Sequence, residues 1–149
     1  MKGLPDLPPI WLAGFLILAW LLARIFPIMF VFGPTLQTLG AVFSLIGLAM
    51  IGWSATWFMR KKTTIDPHET PEVLIVEGPY RFSRNPIYLG MVAILIGFVV
   101  WLGALSTVIL PGIFISVISL RFIGPEEEAL KLAFGADTER YLRATRRWL

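Results

Sequence analysis

Four apolar runs, almost free of charge, fill most of the first 121 residues and decide which solvent this chain can fold in. They cover roughly residues 9–30, 35–59, 86–102 and 104–122. Arg24 and Pro27 interrupt the first, and the second carries no charged residue. A helix needs about 20 residues to cross the hydrocarbon of a bilayer. The stretch from Pro86 to Arg121 therefore reads as two short helices in a hairpin, with the best turn at Trp101-Leu102-Gly103-Ala104-Leu105-Ser106. Strands are excluded unless they close a barrel, and the runs show no apolar/polar alternation. With 56% hydrophobic residues and a mean hydropathy of +0.74, the chain has too little polar surface to cover itself in water. The fold class expected is all-α and integral to a membrane, with about four transmembrane helices. At 149 residues one domain, 1–149, is expected.

Charge placement sets the orientation. Arg60, Lys61, Lys62, Arg81 and Arg84 lie in the connector at 60–85, and Arg121, Lys131, Arg140, Arg143, Arg146 and Arg147 follow the fourth run. The other two connections, near Phe32-Gly33-Pro34 and at Gly103, are uncharged. By the positive-inside rule both basic regions, and both termini, face the cytoplasm; the membrane expected is the plasma membrane of a bacterium or archaeon. Pro5, Pro8 and Pro9 precede a first run longer than a signal-peptide core, so that run reads as a retained span. Beyond the fourth span, Gly124-Pro125-Glu126-Glu127-Glu128 predicts a helix start, with Pro in the first turn and carboxylates facing the dipole. Gly135 predicts its stop. Asp137 or Thr138 would cap a last basic helix, so that cytoplasmic helices occupy 125–147.

Composition removes much chemistry. With no cysteine and one histidine, His68 in a polar loop, neither a metal centre nor a thiol nucleophile is expected. There is no dinucleotide fingerprint, P-loop, H-E-x-x-H or nucleophile elbow, and nothing points to a nucleic-acid partner. Any chemistry rests on Tyr, Arg, Asn, Glu and backbone groups. The densest such stretch is Gly78-Pro79-Tyr80-Arg81-Phe82-Ser83-Arg84-Asn85-Pro86-Ile87-Tyr88-Leu89-Gly90. It has two readings. Arginine and tyrosine anchor spans at headgroup depth, while Asn85-Pro86 leaves an amide beside a helix N-terminus that can bind a carboxylate. Glu126-Glu127-Glu128 likewise either complements a helix dipole or offers a carboxylate to a cationic ligand. Arg24, inside an apolar run, reads as snorkelling to the far interface.

Three motifs in order carry a resemblance: Leu74-Ile75-Val76-Glu77-Gly78-Pro79-Tyr80; Ser83-Arg84-Asn85-Pro86-Ile87-Tyr88-Leu89-Gly90; and Pro125-Glu126-Glu127 with Phe134-Gly135 and Arg146-Arg147-Trp148. Together they resemble the isoprenylcysteine carboxyl methyltransferase family and the related phospholipid methyltransferases, membrane enzymes that use S-adenosylmethionine and release S-adenosylhomocysteine. The likeness runs from Thr63 to Leu149; the first two spans match in hydropathy alone. It implies a cofactor pocket of Glu72, Val73, Leu74, Ile75, Gly78 and Tyr80 around the nucleoside. Asn85, Pro86, Ile87, Tyr88 and Gly90 would continue it, and Glu126 or Glu127 would hold the ammonium or ribose. Arg84 and Arg121 would orient the substrate. The chain departs from the prenyl-cysteine enzymes at Asn85, where they usually carry His.

A sulfonium methyl is already activated, so alignment of donor and acceptor supplies much of the rate and no metal is required. The expected partners are a lipophilic or lipid acceptor and the membrane lipids. Arg84 and Arg121 favour a carboxylate acceptor and hence O-methylation. N-methylation of a phospholipid amine, which needs a base, and S-methylation of a thiol are the alternatives. Outside this class stand an NADPH-dependent lipid reductase and a non-enzymatic protein binding anionic lipid.

Overall fold

The computed structural model describes residues 6–30, 33–61 and 73–149, and wherever the backbone is regular in these segments it is helical, apart from one isolated antiparallel bridge between Phe30 and Ala104. Helix α1 covers Pro8–Ile25, α2 Pro34–Lys61 and α3 Pro86–Leu102. α4 (Leu110–Ile118), a π-helical turn (Ser119–Ile123) and α5 (Gly124–Phe134) follow without a break. α6 is Ala136–Ala144. Three helical stretches, Pro8–Ile25, Pro34–Lys61 and Leu105–Phe134, are long and apolar enough to cross a membrane, and Pro86–Leu102 is a shorter apolar helix. Large apolar side chains on the first two point outward, among them Ile17 and Leu45, each more than 60% exposed. On helices this long and apolar such a surface is that of a protein embedded in lipid, and the chain is an integral membrane protein.

Two prolines act differently on their helices. α1 stops at Ile25 rather than running on to residue 30, because Pro27 disfavours helix in the residue before it. Ile28 then adopts a left-handed φ of 57°, and the Leu105 N–H donates to the Met29 carbonyl at 3.0 Å. The α1–α2 connection is thereby tied to the α3–α4 turn. The helix start expected at Gly124-Pro125 is absent as a break. Pro125 lacks an N–H and would crowd the carbonyl four residues back. The π-helical turn absorbs this by widening: the Gly124 N–H reaches Ser119 O, five residues away. The cap expected at Asp137 or Thr138 is also displaced. α6 begins at Ala136 behind Gly135 (φ 50°), and Thr138 Oγ1 donates to Leu130 O at 2.8 Å, joining α6 to α5. α6 ends at Ala144, short of the expected 147.

α3 is the buried helix. Met91, Leu95 and Val99 meet Phe114 and Ile118 of α4 and Ala19 of α1 in one core. Its partner α2 lies backbone-close: a Cβ on Gly40 would sit 2.5 Å from Gly97 O, and one on Gly47 2.5 Å from Gly90 O. Ser44, midway, reaches Ile94 O at 3.3 Å. Small residues that let backbones approach are how helices associate in lipid, where burial gives no hydrophobic gain.

Candidate active site

A cavity of about 510 Å³ opens where four helix ends converge: the start of α1, the last turns of α2, the start of α3 and the first turns of α5, with α6 across it. The sequence builds its polar rim from the loop before α3. Gly78, at φ 61°, allows the 3₁₀ turn Gly78–Arg81 to lie against Trp57, whose indole any Cβ there would strike. That turn presents Tyr80 inward, 7% exposed. Asn85 and Pro86 open α3 and carry Ile87 and Tyr88 into its first turn.

Of the residues expected at a site, Val73, Leu74, Ile75, Tyr80, Arg84, Asn85, Pro86, Ile87, Tyr88, Glu126 and Glu127 all line this cavity. Three lie elsewhere. Gly78 shapes the turn behind Tyr80, and Gly90 packs on Gly47 and Ile51. Arg121 is bound to Asp6, with Nε 2.9 Å from Oδ2, and lies over the Trp11 ring at 5.5 Å. Glu72 and His68 lie outside the described residues. The lining also includes side chains that the motifs do not contain: Pro8 and Pro9 of α1, Ile51, Ala55 and Phe58 of α2, Met91 of α3, and Tyr141 of α6. Tyr141 was recognisable as an aromatic on a basic helix. The α2 trio, spaced along one face, had no polar neighbour to single it out.

Two carboxylates enter from the first turn of α5 with different surroundings. Glu126 accepts a hydrogen bond from the Tyr88 hydroxyl. Glu127, 8% exposed, receives Arg84 Nη1 at 3.0 Å and Arg147 Nε at 3.1 Å. Arg84 Nε is buried and has no hydrogen-bond partner among the described residues. Burial raises the Tyr80 hydroxyl well above its usual pKa, assisted by Tyr141 and Glu126. Tyr141 is raised by burial as well, and its hydroxyl donates to Tyr80 O at 2.8 Å. Both phenols remain protonated donors at neutral pH. Just before the 3₁₀ turn, a 2.6 Å hydrogen bond from Lys61 holds the Glu77 carboxyl below its usual range.

The site is thus an apolar chamber with one polar end: a carboxylate bonded to a tyrosine, and a guanidinium with an unsatisfied N–H. Such a mixture suits a small amphiphilic ligand in which a few polar groups fix orientation. Among models of known families, that of phospholipid methyltransferase matches residues 28–137. No curated protein and no solved structure matches the chain.

Proposed function

Because the chain belongs to the phospholipid methyltransferase family, we propose that it transfers a methyl group from S-adenosylmethionine to a lipophilic acceptor at the cytoplasmic face of its membrane. The observation that carries this is the cavity itself, whose lining fits that cofactor. The buried Nε of Arg84 is a donor that the amino-acid carboxylate would satisfy. Glu126, bonded to Tyr88, offers an acceptor to the ammonium. Val73, Leu74 and Ile75, with Tyr80, supply an apolar wall for the nucleoside. When bound, S-adenosylmethionine supplies an activated methyl: the acceptor's lone pair forms the new bond and sulfur keeps the old bonding pair. The residues' work is therefore to bind, align and exclude water.

Four spans with both termini cytoplasmic complete the reading. The start of α1, the end of α2 and the start of α3 all meet at the cavity, while the α1–α2 connection bridges to the α3–α4 turn at the far end. This arrangement supports an even number of crossings, and on this reading the whole chain acts as one methyltransferase domain.

For the acceptor, the geometry favours a lipid amine. Arg84 is the one cationic residue lining the cavity among those described, and the cofactor's carboxylate would use it. Arg121 is taken by Asp6. An amine entering the apolar chamber is pushed toward its neutral, nucleophilic form by desolvation. A carboxylate acceptor is the second reading, favoured if Arg84 serves the acceptor instead.

The test is to incubate full-length protein in vesicles of host lipid with methyl-labelled S-adenosylmethionine. Label should enter a lipid and stay non-volatile under mild alkali; label released as methanol would mark a methyl ester and the second reading. Glu126→Gln should weaken S-adenosylhomocysteine binding about tenfold, the loss of a charge-assisted hydrogen bond. No labelled lipid together with no binding, or tighter competition by NADPH, would sink the proposal.

A further inference from the structure

The motif Arg146-Arg147-Trp148 has no part in the function just described. After α6 the chain turns extended at Thr145 and returns across the loop that precedes α3. The Arg84 N–H donates to Arg146 O at 2.9 Å. The carbonyl of Arg147 accepts from Asn85 Nδ2 at 3.0 Å and from Ser83 Oγ at 3.3 Å. Trp148 packs against the core. The tail is therefore fastened to the residues that open the cavity.

The Arg147 side chain makes a separate connection, to α5. Its guanidinium takes Glu127 in a two-pronged pair, Nε to Oε1 at 3.1 Å and Nη2 to Oε2 at 2.5 Å. Arg84 reaches the same Oε1. Both oxygens of a nearly buried carboxylate are thus met by guanidinium, and two arginines share one counter-charge. Without Arg147, Glu127 would rely on Arg84 alone and hold it more tightly, leaving less of its guanidinium for a ligand, because a buried carboxylate holds whatever cation remains.

We infer that Arg147 is a positioning residue: it neutralises Glu127 so that Arg84 can serve the cavity, and its main chain clasps the Ser83–Asn85 loop. The inference rests on the cofactor reading above for what Arg84 serves, but the clasp itself does not. It also divides the neighbouring glutamates, Glu127 holding the clasp and Glu126 facing the ligand.

Hydrogen exchange on the full-length protein in detergent reads the clasp without any ligand. Arg147→Ala should speed exchange at the Arg84 amide about tenfold, whereas Arg147→Lys, which keeps the charge but not the fork, stays within about threefold of wild type. Glu127→Gln breaks the same pair from the other side and should also speed exchange; it decides the matter if Arg147→Ala does not fold. Titration with S-adenosylhomocysteine reads the positioning. Arg147→Ala should bind about tenfold more weakly, and the double variant Glu127→Gln/Arg147→Ala should bind more tightly than Arg147→Ala, because Arg84 is released. A tail that merely stabilised the fold would give losses that add. Unchanged exchange in Arg147→Ala, or in Glu127→Gln where that variant decides, or a double variant no tighter than the single, overturns the inference. If wild-type protein binds no S-adenosylhomocysteine, the cofactor reading fails and the exchange result alone decides the clasp.

Discussion

The hydroxyl of Tyr88 donates to Glu126, and this bond ties the first turn of α3 to the first turn of α5 at the cavity wall. Tyr88→Phe keeps the ring, which lies 6.5 Å from that of Phe122, and removes only the donor. A hydrogen bond to a charged group is worth roughly 1.5–3 kcal/mol. The variant should therefore melt several degrees lower in detergent and, with Glu126 no longer held in place, bind S-adenosylhomocysteine about tenfold more weakly. Equal affinity in calorimetry would remove Tyr88 from the site. At this scale the site was legible where polarity is scarce. In a chain this apolar, Tyr80, Arg84, Asn85 and Glu126 stand out, and all line the cavity. Ile51, Ala55 and Phe58 were hidden because every face of α2 is apolar and none is marked as inner. The surroundings of Arg121 were hidden for another reason. Its partner Asp6 lies 115 residues earlier, and no local pattern encodes a pairing of that reach.

Among the elements, the α2–α3 pair bears the closest backbone contact. Gly40 and Gly47 face Gly97 and Gly90 at the same seven-residue spacing on both helices. Gly47→Leu would force a side chain into backbone and wedge the pair apart, at a cost of about 2 kcal/mol or more, in the range of overpacked cores. Since α2 and α3 both wall the cavity, ligand affinity should fall with stability. Gly52→Ala is the control. Nothing lies within 4 Å of its Cβ position, so the variant should be neutral or stabilising by roughly 0.5–1 kcal/mol through helix propensity. Thermal unfolding in one detergent separates the two, and a Gly47→Leu protein as stable as wild type would refute the packing argument. The spans themselves were readable from hydropathy, because lipid demands long apolar helices. Their ends were less so. Pro27 stops α1 early, whereas Pro125 does not stop its helix, because a π-helical turn supplies the room that a regular α-helix would deny it. Whether a proline ends a helix or only widens it depends on the packing on either side, which local sequence does not contain.

For the whole molecule, the decisive quantity is which side of the membrane each helix end occupies. The cavity gathers the start of α1, the end of α2, the start of α3 and both C-terminal helices at one end. The Phe30–Ala104 bridge marks the other end, where Arg24 lies 5.6 Å over the Trp20 ring near the close of α1. On the proposed reading a soluble charged cofactor would have to reach the first end without crossing the bilayer, so that end would face the compartment that makes it. The basic residues at the same end predict that orientation through an independent principle, the retention of Lys and Arg on the cytoplasmic side. The chain contains no cysteine, so single cysteines report position without background. Gly33→Cys, at the end opposite the cavity, should react in intact cells with a thiol reagent that cannot cross the membrane. Arg140→Cys, on the outer face of α6 with its native side chain 81% exposed, should react only after the cells are opened. Leu7→Cys, at the N-terminal side of α1, should behave like Arg140→Cys, because Leu7 lines the cavity. Labelling of Arg140→Cys in intact cells would place the cavity outside, away from the cofactor supply, and would refute the topology and the proposed activity together. Labelling of Leu7→Cys alone would refute the even number of crossings while leaving the site on its proposed side.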